Sequence, residues 1–351
     1  MQKKKKNDEF KKETAQAENC LNENKLDEAR VHLERALELN PEYAEGYCNL
    51  GLILLNNGEF SEAEENFQIS LSKDDNMVEA YFNLGCSFQE RNDYEKALSF
   101  FKEVILREPD NALTYLKMGF CAQPLERMDD ARVFFEEALR LQPDSLEAGA
   151  ALSGLYVENE DYEKAEEVLR INLVSHQDEL GLHYSLGLIL KEQQKFESAL
   201  AQFNKVVTLD ENHPEGFYHL ADCCGQLGFL KQAVPFFAKA YKLDETFSEA
   251  VFQLGNVHEG MKKMDTAVIM YRRWIDMVES NLWQLGEDMT ETYKEKCKIV
   301  ADYLEKNGSD EEDIDCYREK SELSGYAKND HVDIGTDAAE SDYRVSLQID
   351  D

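Results

Sequence analysis

Hydrophobic and polar residues follow each other along most of the chain with the spacing of amphipathic helices. Eight alanines stand 34 residues apart in unbroken register, and a large apolar residue follows each of them after one helical turn. The alanines are Ala29, Ala63, Ala97, Ala131, Ala165, Ala199, Ala233 and Ala267. The large residues are Leu33, Phe67, Phe101, Phe135, Leu169, Phe203, Phe237 and Tyr271. The pattern predicts one buried helix face in each of eight repeats.

A second column, twelve residues before each alanine, predicts a partner helix in every repeat. It contains only small residues: Ala17, Gly51, Gly85, Gly119, Ser153, Gly187, Ala221 and Gly255. A small residue lets two helices approach closely, and the large residue of the other helix fills the space beside it. Short turns such as Asn56-Asn57-Gly58 separate the two helices, and Pro41 or Pro143 stands where a repeat ends. Each repeat is therefore expected to be an antiparallel helical hairpin.

This 34-residue period, with its Leu-Gly, Tyr, Ala, Phe and Pro signature, resembles the tetratricopeptide repeat family from about residue 10 to residue 281. The resemblance implies an all-α fold, a right-handed superhelical solenoid of about eight 34-residue helix-turn-helix repeats with a C-terminal capping helix.

Two neighbouring repeats depart from the pattern. Gly149 replaces the aromatic residue of other repeats, and Ser153 replaces the glycine. Pro124 falls inside the first helix of the preceding repeat, where it removes a hydrogen bond or ends the helix early. We expect a seam in the middle of the repeat array.

The chain divides by composition into four segments. Residues 1–9 form a Lys-rich basic N-terminal arm, and residues 10–281 hold the eight repeats. Residues 282–306 carry apolar residues at helical spacing and are expected to form the capping helix that covers the last apolar face. Residues 307–351 contain 14 acidic and four basic residues, which predicts a disordered acidic tail.

Composition limits the classes of partner. The chain has 72 acidic and 38 Lys or Arg residues, a net charge of −34, so its field repels nucleic acid and anionic lipid. Basic proteins or peptides fit better. No stretch is long and apolar enough for a membrane span, and the 8 scattered cysteines lack any CxxC pair. We expect a cytoplasmic protein with reduced cysteines.

The sequence shows no recognisable catalytic or cofactor site. It contains no phosphate-binding glycine loop, no HExxH and no GxSxG, and its 7 histidines share no metal-ligand spacing. Paired carboxylates are explained by solvated helix faces. We expect no enzyme, no cofactor and no metal.

The family resemblance implies a concave groove, lined by the first helix of each repeat, that binds a peptide or helix of a partner protein. The residue just before the Leu-Gly step projects into that groove. The polar residues of this column are Asn49, Asn83, Lys117, Ser185, His219 and Gln253. They are the predicted contacts to a basic or amphipathic partner, although asparagine in this column also belongs to the common repeat consensus.

Two alternatives remain at this point. The chain could be a self-associating structural protein, a homo-oligomer that organises a larger assembly. It could also be a chaperone-like adaptor that is autoinhibited by its acidic tail, with residues such as Tyr343 to Ile349 in the groove.

Overall fold

The computed structural model describes residues 2–279 and 287–322, and the regular elements in these ranges are helices, with no strand. Residues up to Gln177 form one compact unit, here called unit 1, and residues from Asp178 form a second, unit 2. The boundary falls directly after the repeat that carries Gly149.

Unit 1 contains five consecutive helical hairpins, each made of a first and a second helix. The hairpins are α1 Gln2–Asn22 with α2 Leu26–Leu39, α3 Ala44–Asn56 with α4 Phe60–Lys73, α5 Val78–Glu90 with α6 Tyr94–Arg107, α7 Ala112–Ala122 with α8 Met128–Leu141, and α9 Leu146–Glu158 with α10 Tyr162–Ser175. Residues 2–9 of the predicted N-terminal arm form the first part of helix α1.

Unit 2 continues the same arrangement within its described residues. Its hairpins are α11 Leu180–Glu192 with α12 Phe196–Leu209, α13 Pro214–Gln226 with α14 Leu230–Leu243, α15 Ser248–Gly260 with α16 Met264–Glu279, and α17 Glu287–Lys306 with α18 Glu311–Glu322. The prediction of an all-α protein built from repeated hairpins is confirmed.

Small residues on first helices face large residues on second helices, as the columns predict. A Cβ atom placed on Gly119 would lie 2.3 Å from the ring of Phe135, and one placed on Gly187 would lie 2.8 Å from the ring of Phe203. Both phenylalanines are fully buried. Glycine is therefore required because the ring occupies the space that any side chain would need.

The turn inside each of the first eight hairpins contains one residue with a left-handed backbone. These residues again stand 34 positions apart: Asn24, Gly58, Asn92, Glu126, Glu160, Gln194, Gly228 and Lys262. Asparagine and glycine adopt this conformation readily, whereas glutamate, glutamine and lysine do so at a cost. Packing of the two helices thus imposes the turn conformation even where the local sequence does not favour it.

Pro124 shortens the first helix of its repeat. Helix α7 has 11 residues, whereas its neighbours α5 and α9 have 13. A 3-10 helix at Gln123–Leu125 replaces the missing turn, since proline has no backbone N–H for the α-helical ladder.

The C-terminal part of unit 2 differs from the sequence expectation. Helix α17 packs Tyr293, Cys297 and Val300 against Trp274 of α16. Residues 307–351 were expected to be a disordered tail, but Glu311–Glu322 form α18.

The α18 contacts explain this difference. Ile314 and Tyr317 are buried in the same apolar cluster as α17, Arg272 of α16 pairs with Asp313 at 3.2 Å, and Lys320 pairs with Glu279 at 3.0 Å. Two buried apolar residues and these ion pairs order a segment whose composition alone favours disorder. The remainder of the predicted tail, residues 323–351, lies outside the described residues, as does the Tyr343 to Ile349 segment.

Candidate partner-binding surfaces

Neighbouring first helices contact one another, as α3 contacts α5 in unit 1 and α13 contacts α15 in unit 2, and one side of these helices stays partly open to solvent. In unit 1, Asn83 of α5 donates a hydrogen bond to Cys48 of α3. In unit 2, Lys191 of α11 donates one to Asp222 of α13. The positions on this side recur at helical spacing, with α-helical geometry placing them within one arc of the helix. We call this side the first-helix surface of each unit.

In unit 1, the first-helix surface is formed by α3, α5, α7 and α9. Its main residues are Asn49, Leu52, Phe82, Asn83, Cys86, Leu113, Lys117, Phe120 and Val157.

Most of these side chains are apolar, and several are exposed. Leu113 is 50% exposed, and Leu52 and Val157 are each 37% exposed. Phe82 and Phe120 are half-buried, with ring centroids 5.7 Å and 5.2 Å from the buried rings below them. Such side chains, aligned on neighbouring helices, offer apolar contact area to a partner.

The polar groups of the unit 1 surface are largely unengaged. The side chains of Asn49 and Lys117 are half-buried and make no hydrogen bond or ion pair with the described residues. Asn83 is already engaged, since its amide lies 3.9 Å from the Cys48 sulfur. Two amide or ammonium groups are therefore free to bind a partner.

Cys86 on this surface and the buried Cys121 of α7 are poor nucleophiles. Burial raises the pKa of the Cys86 thiol to about 11 and that of Cys121 to about 12, and the nearby Lys117 ammonium only partly opposes these shifts. A thiol that stays protonated at neutral pH is a small apolar side chain rather than a reactive group.

In unit 2, the first-helix surface is formed by α11, α13 and α15. Its main residues are Tyr184, Ser185, Lys191, Tyr218, His219, Asp222, Phe252, Gln253 and Asn256. Aromatic and charged side chains dominate it, and many of them contact one another.

The predicted column residues of unit 2 differ in how far they are engaged. His219 stacks on Phe203, with centroids 5.1 Å apart, and its Nδ1 lies 3.3 Å from the Lys191 ammonium. Gln253 accepts a hydrogen bond from Asn256 at 3.2 Å. Ser185 is half-buried and has no side-chain hydrogen bond with the described residues.

Sequence reasoning missed the Lys191–Asp222 pair. The two residues occupy different columns of the repeat, 31 positions apart, so no single-column comparison brings them together. Both columns vary widely in the other repeats, from Gln89 and Val157 in one to Phe120 and Asn256 in the other, so neither column points to the pair.

Other classes of site find no support in the part of the chain that the structure describes. Among residues 2–279 and 287–322, no three His, Cys, Asp or Glu side chains are grouped so that they could hold a metal ion. No helix in these ranges is both long and apolar enough to cross a membrane.

Models of known protein families match five stretches of the chain. A TPR repeat family model matches residues 20–58, and tetratricopeptide repeat models match residues 78–111, 125–180, 180–213 and 214–247. The chain belongs to the tetratricopeptide repeat family. A search of curated proteins finds no match to the sequence of this tetratricopeptide repeat protein.

Several solved structures resemble this chain at low sequence identity. PilF of Pseudomonas aeruginosa is 17% identical, with a TM-score of 0.52, over 60% of this chain and 96% of PilF. A tetratricopeptide repeat protein from Parabacteroides merdae is 17% identical, with a TM-score of 0.48, over 71% of this chain and 99% of its own. YrrB, described as a TPR protein with an unusual peptide-binding site, is 22% identical, with a TM-score of 0.48, over 52% of this chain and 94% of its own.

Family and fold together assign the general role. Tetratricopeptide repeat proteins are protein-interaction scaffolds that bind protein or peptide partners, and they are typically not enzymes. This chain has the helical hairpins of such a scaffold and two chemically different first-helix surfaces.

Proposed function

We propose that the protein is a scaffold or assembly factor that holds a basic or amphipathic segment of a partner protein on its first-helix surfaces. The observation that carries the proposal is the unit 1 surface, where exposed apolar side chains lie beside polar groups that have no partner among the described residues. Leu113 and Val157 supply the apolar area, and Asn49 and Lys117 supply donors for the partner's backbone.

The six column residues contribute unequally to this binding. Asn49, Lys117 and Ser185 bind a partner without losing an existing contact, because their side chains are unengaged within the described residues. Asn83, His219 and Gln253 exchange contacts within the protein for contacts with the partner. The unengaged residues therefore contribute more affinity per hydrogen bond.

The charge of the unit 1 surface favours a basic partner. Glu45, Glu79 and Glu147 stand at the start of α3, α5 and α9, and all three are exposed. With a net charge of −34 over the whole chain, complementary charge accelerates the encounter with a basic segment. Affinity should then fall as salt is added.

A pair of double variants tests the proposal. Leu113→Ser with Val157→Ser removes exposed apolar side chains from the unit 1 surface. Leu106→Ser with Val133→Ser makes the same chemical change on the second helices α6 and α8, where the side chains are 74% and 50% exposed. Partners are captured from native lysate with the parent protein and both variants and are quantified by mass spectrometry.

We expect the surface variant alone to lose a basic partner, and we expect added salt to release that partner from the parent protein. Equal recovery with both variants would place binding elsewhere and overturn the proposal. Recovery of the protein's own chain as the principal species would favour the self-associating structural protein instead.

A further inference from the structure

An ion pair lies in the middle of the unit 2 first-helix surface. The Lys191 ammonium, in the last turn of α11, donates to Asp222 of α13 at 2.8 Å. The two side chains are 23% and 18% exposed, so a molecule in solvent reaches both. The pair is therefore an accessible contact on a surface and not part of the core.

Aromatic rings surround this pair. His219, which Lys191 also contacts, has its ring centroid 5.7 Å from that of Tyr184 and 5.2 Å from that of Tyr218. Burial, together with the Lys191 charge, lowers the pKa of His219 to about 4. Because the imidazole is neutral at pH 7, it does not repel a second cation brought to Asp222.

Open space lies one helical turn beyond Asp222. Apart from the backbone of α13 itself, no atom of residues 2–279 and 287–322 would lie within 4 Å of a Cβ atom placed on Gly225. The equivalent position of the next repeat is occupied by Glu259, 34 residues later. The α13 surface therefore has room for a guest side chain beside its carboxylate.

The next repeat shows what such a position accepts. There the ammonium of Lys296, from α17, lies 3.3 Å from Glu259 and 4.7 Å from the ring centroid of Tyr271. It also lies 6.0 Å from the ring of Phe252, which occupies the same repeat position as Tyr218. Helix α17 thus brings a cation to the Glu259 carboxylate of α15 and to two aromatic rings, Phe252 of α15 and Tyr271 of α16. On α13 an aromatic ring and a carboxylate also lie on one helix, but the carboxylate, Asp222, stands at the repeat position of Asn256, and its ion pair within the described residues is with Lys191 of α11.

We propose that the unit 2 surface recognises an arginine side chain of the partner, which pairs with Asp222, stacks on Tyr218 and lies over Gly225. Lys191 is the resident cation that the arginine displaces. The inference rests on the proposed function, since it states the partner chemistry for one part of the binding surface.

Arginine is preferred over lysine for a physical reason. A lysine that displaced Lys191 would replace one ammonium by another and gain little. The guanidinium group forms two parallel hydrogen bonds to a carboxylate and stacks on an aromatic ring, and Lys191 does neither. The site formed by Asp222, Tyr218 and the space over Gly225, here called the arginine pocket, therefore discriminates between the two basic residues.

The test uses two fluorescein-labelled peptides, GSRGSRGSR and GSKGSKGSK, and the full chain, with fluorescence anisotropy at physiological salt. Asp222→Asn should weaken binding of the arginine peptide about tenfold and remove its advantage over the lysine peptide. Lys191→Met keeps the apolar stem and frees Asp222, so it should strengthen that binding about threefold or more. Gly225→Leu fills the open space without a charge change and should weaken it. Glu211→Gln, in the exposed turn before α13, removes the same charge as Asp222→Asn and is the matched control.

Opposite responses of Asp222→Asn and Lys191→Met, with Glu211→Gln close to the parent, would establish the pocket. Equal losses from Asp222→Asn and Glu211→Gln, or equal affinity for both peptides, would overturn it as general charge attraction. If these variants have no effect while Leu113→Ser with Val157→Ser still loses its partner, the scaffold function stands and the arginine pocket does not.

Discussion

The first-helix surfaces of the two units are built on the same hairpin yet differ in their chemistry. In unit 1 the surface is apolar, and its polar side chains Asn49 and Lys117 have no partner within the described residues. In unit 2 the surface is aromatic and charged, and Lys191, Asp222 and His219 contact one another. The polar groups of one surface are unengaged within the described residues, whereas several of those on the other are already engaged with one another.

The difference shows that the core and the surface of a repeat vary independently. Phe135 in unit 1 and Phe203 in unit 2 fill the same repeat position and are both fully buried against a glycine. The side chains that point away from this contact are not constrained by it, because they lie on another arc of the helix. Partner chemistry can therefore change from unit to unit while the hairpin stays the same.

The largest expected effect tests the shared core. Phe135→Ala and Phe203→Ala should each lower the free energy of unfolding by about 4 kcal/mol, since both remove a fully buried ring and leave a cavity. Urea unfolding followed by circular dichroism measures the loss. Similar losses in the two variants are expected, and a clearly smaller loss in one unit would mean that the hairpins are not equivalent.

A second effect should occur in unit 2 only. His219 faces Lys191, Asp222, His213 and Tyr184, and burial, with the Lys191 charge, lowers its pKa from 6.5 to about 4. Between these values the unfolded chain binds a proton at this histidine that the folded protein does not. The stabilisation is therefore complete above pH 6.5 and is lost as the pH falls toward about 4.

The measurement compares urea unfolding at pH 7 and pH 5. His219 should account for about 2 kcal/mol of the stability lost between these two pH values. The His219→Gln variant should lack this part of the loss. An unchanged pH dependence in the variant would show that the histidine is not held neutral.

The smallest expected effect concerns the last hairpin of unit 1. Asn172 is fully buried beside Gly149, and its Oδ1 atom has no hydrogen-bond partner in the described part of the chain. Unit 2 places Val206 at the same repeat position. Asn172→Val should raise the free energy of unfolding by about 1 kcal/mol, because it removes an unsatisfied buried amide oxygen.

Ser70 provides the matched control for this change. It occupies the same position in α4, is equally buried, and donates a hydrogen bond to the Ala44 carbonyl at 2.8 Å. Ser70→Ala should destabilise by about 1 kcal/mol, since that carbonyl loses its donor. If both substitutions shift stability in the same direction, hydrogen-bond satisfaction is not what distinguishes the two sites.

Much of the fold was predictable because its contacts are local and repeated. The Gly119–Phe135 contact joins residues of one hairpin, and the same two sequence columns predict the corresponding contact in other repeats. The early end of α7 was also predictable, since Pro124 acts through its own backbone. The left-handed turn residues were harder to recognise, because Glu160 and Gln194 adopt a conformation that their own side chains do not favour.

The sequence predicts which residues lie on the first helices, but not which of their side chains already contact a neighbour. The column containing Asn49, Lys117 and His219 does lie on the first helices. Whether a member is free or engaged depends on a neighbour from another helix and another column, as Lys191 is for His219.

The sequence by itself determined the period, the two helices of each hairpin and the small-against-large contact between them, because these depend on helical spacing and on side-chain size. The tertiary structure alone decided that Asp222 forms an ion pair with Lys191 and that Asn172 is buried without a full set of hydrogen bonds from the described residues. It also decided that Glu311–Glu322 is ordered, through Ile314, Tyr317 and the Arg272–Asp313 pair. The physical reason is the same in all three cases. Hydrogen bonds and ion pairs form between particular atoms of different helices, and their distances are known only when those helices are packed.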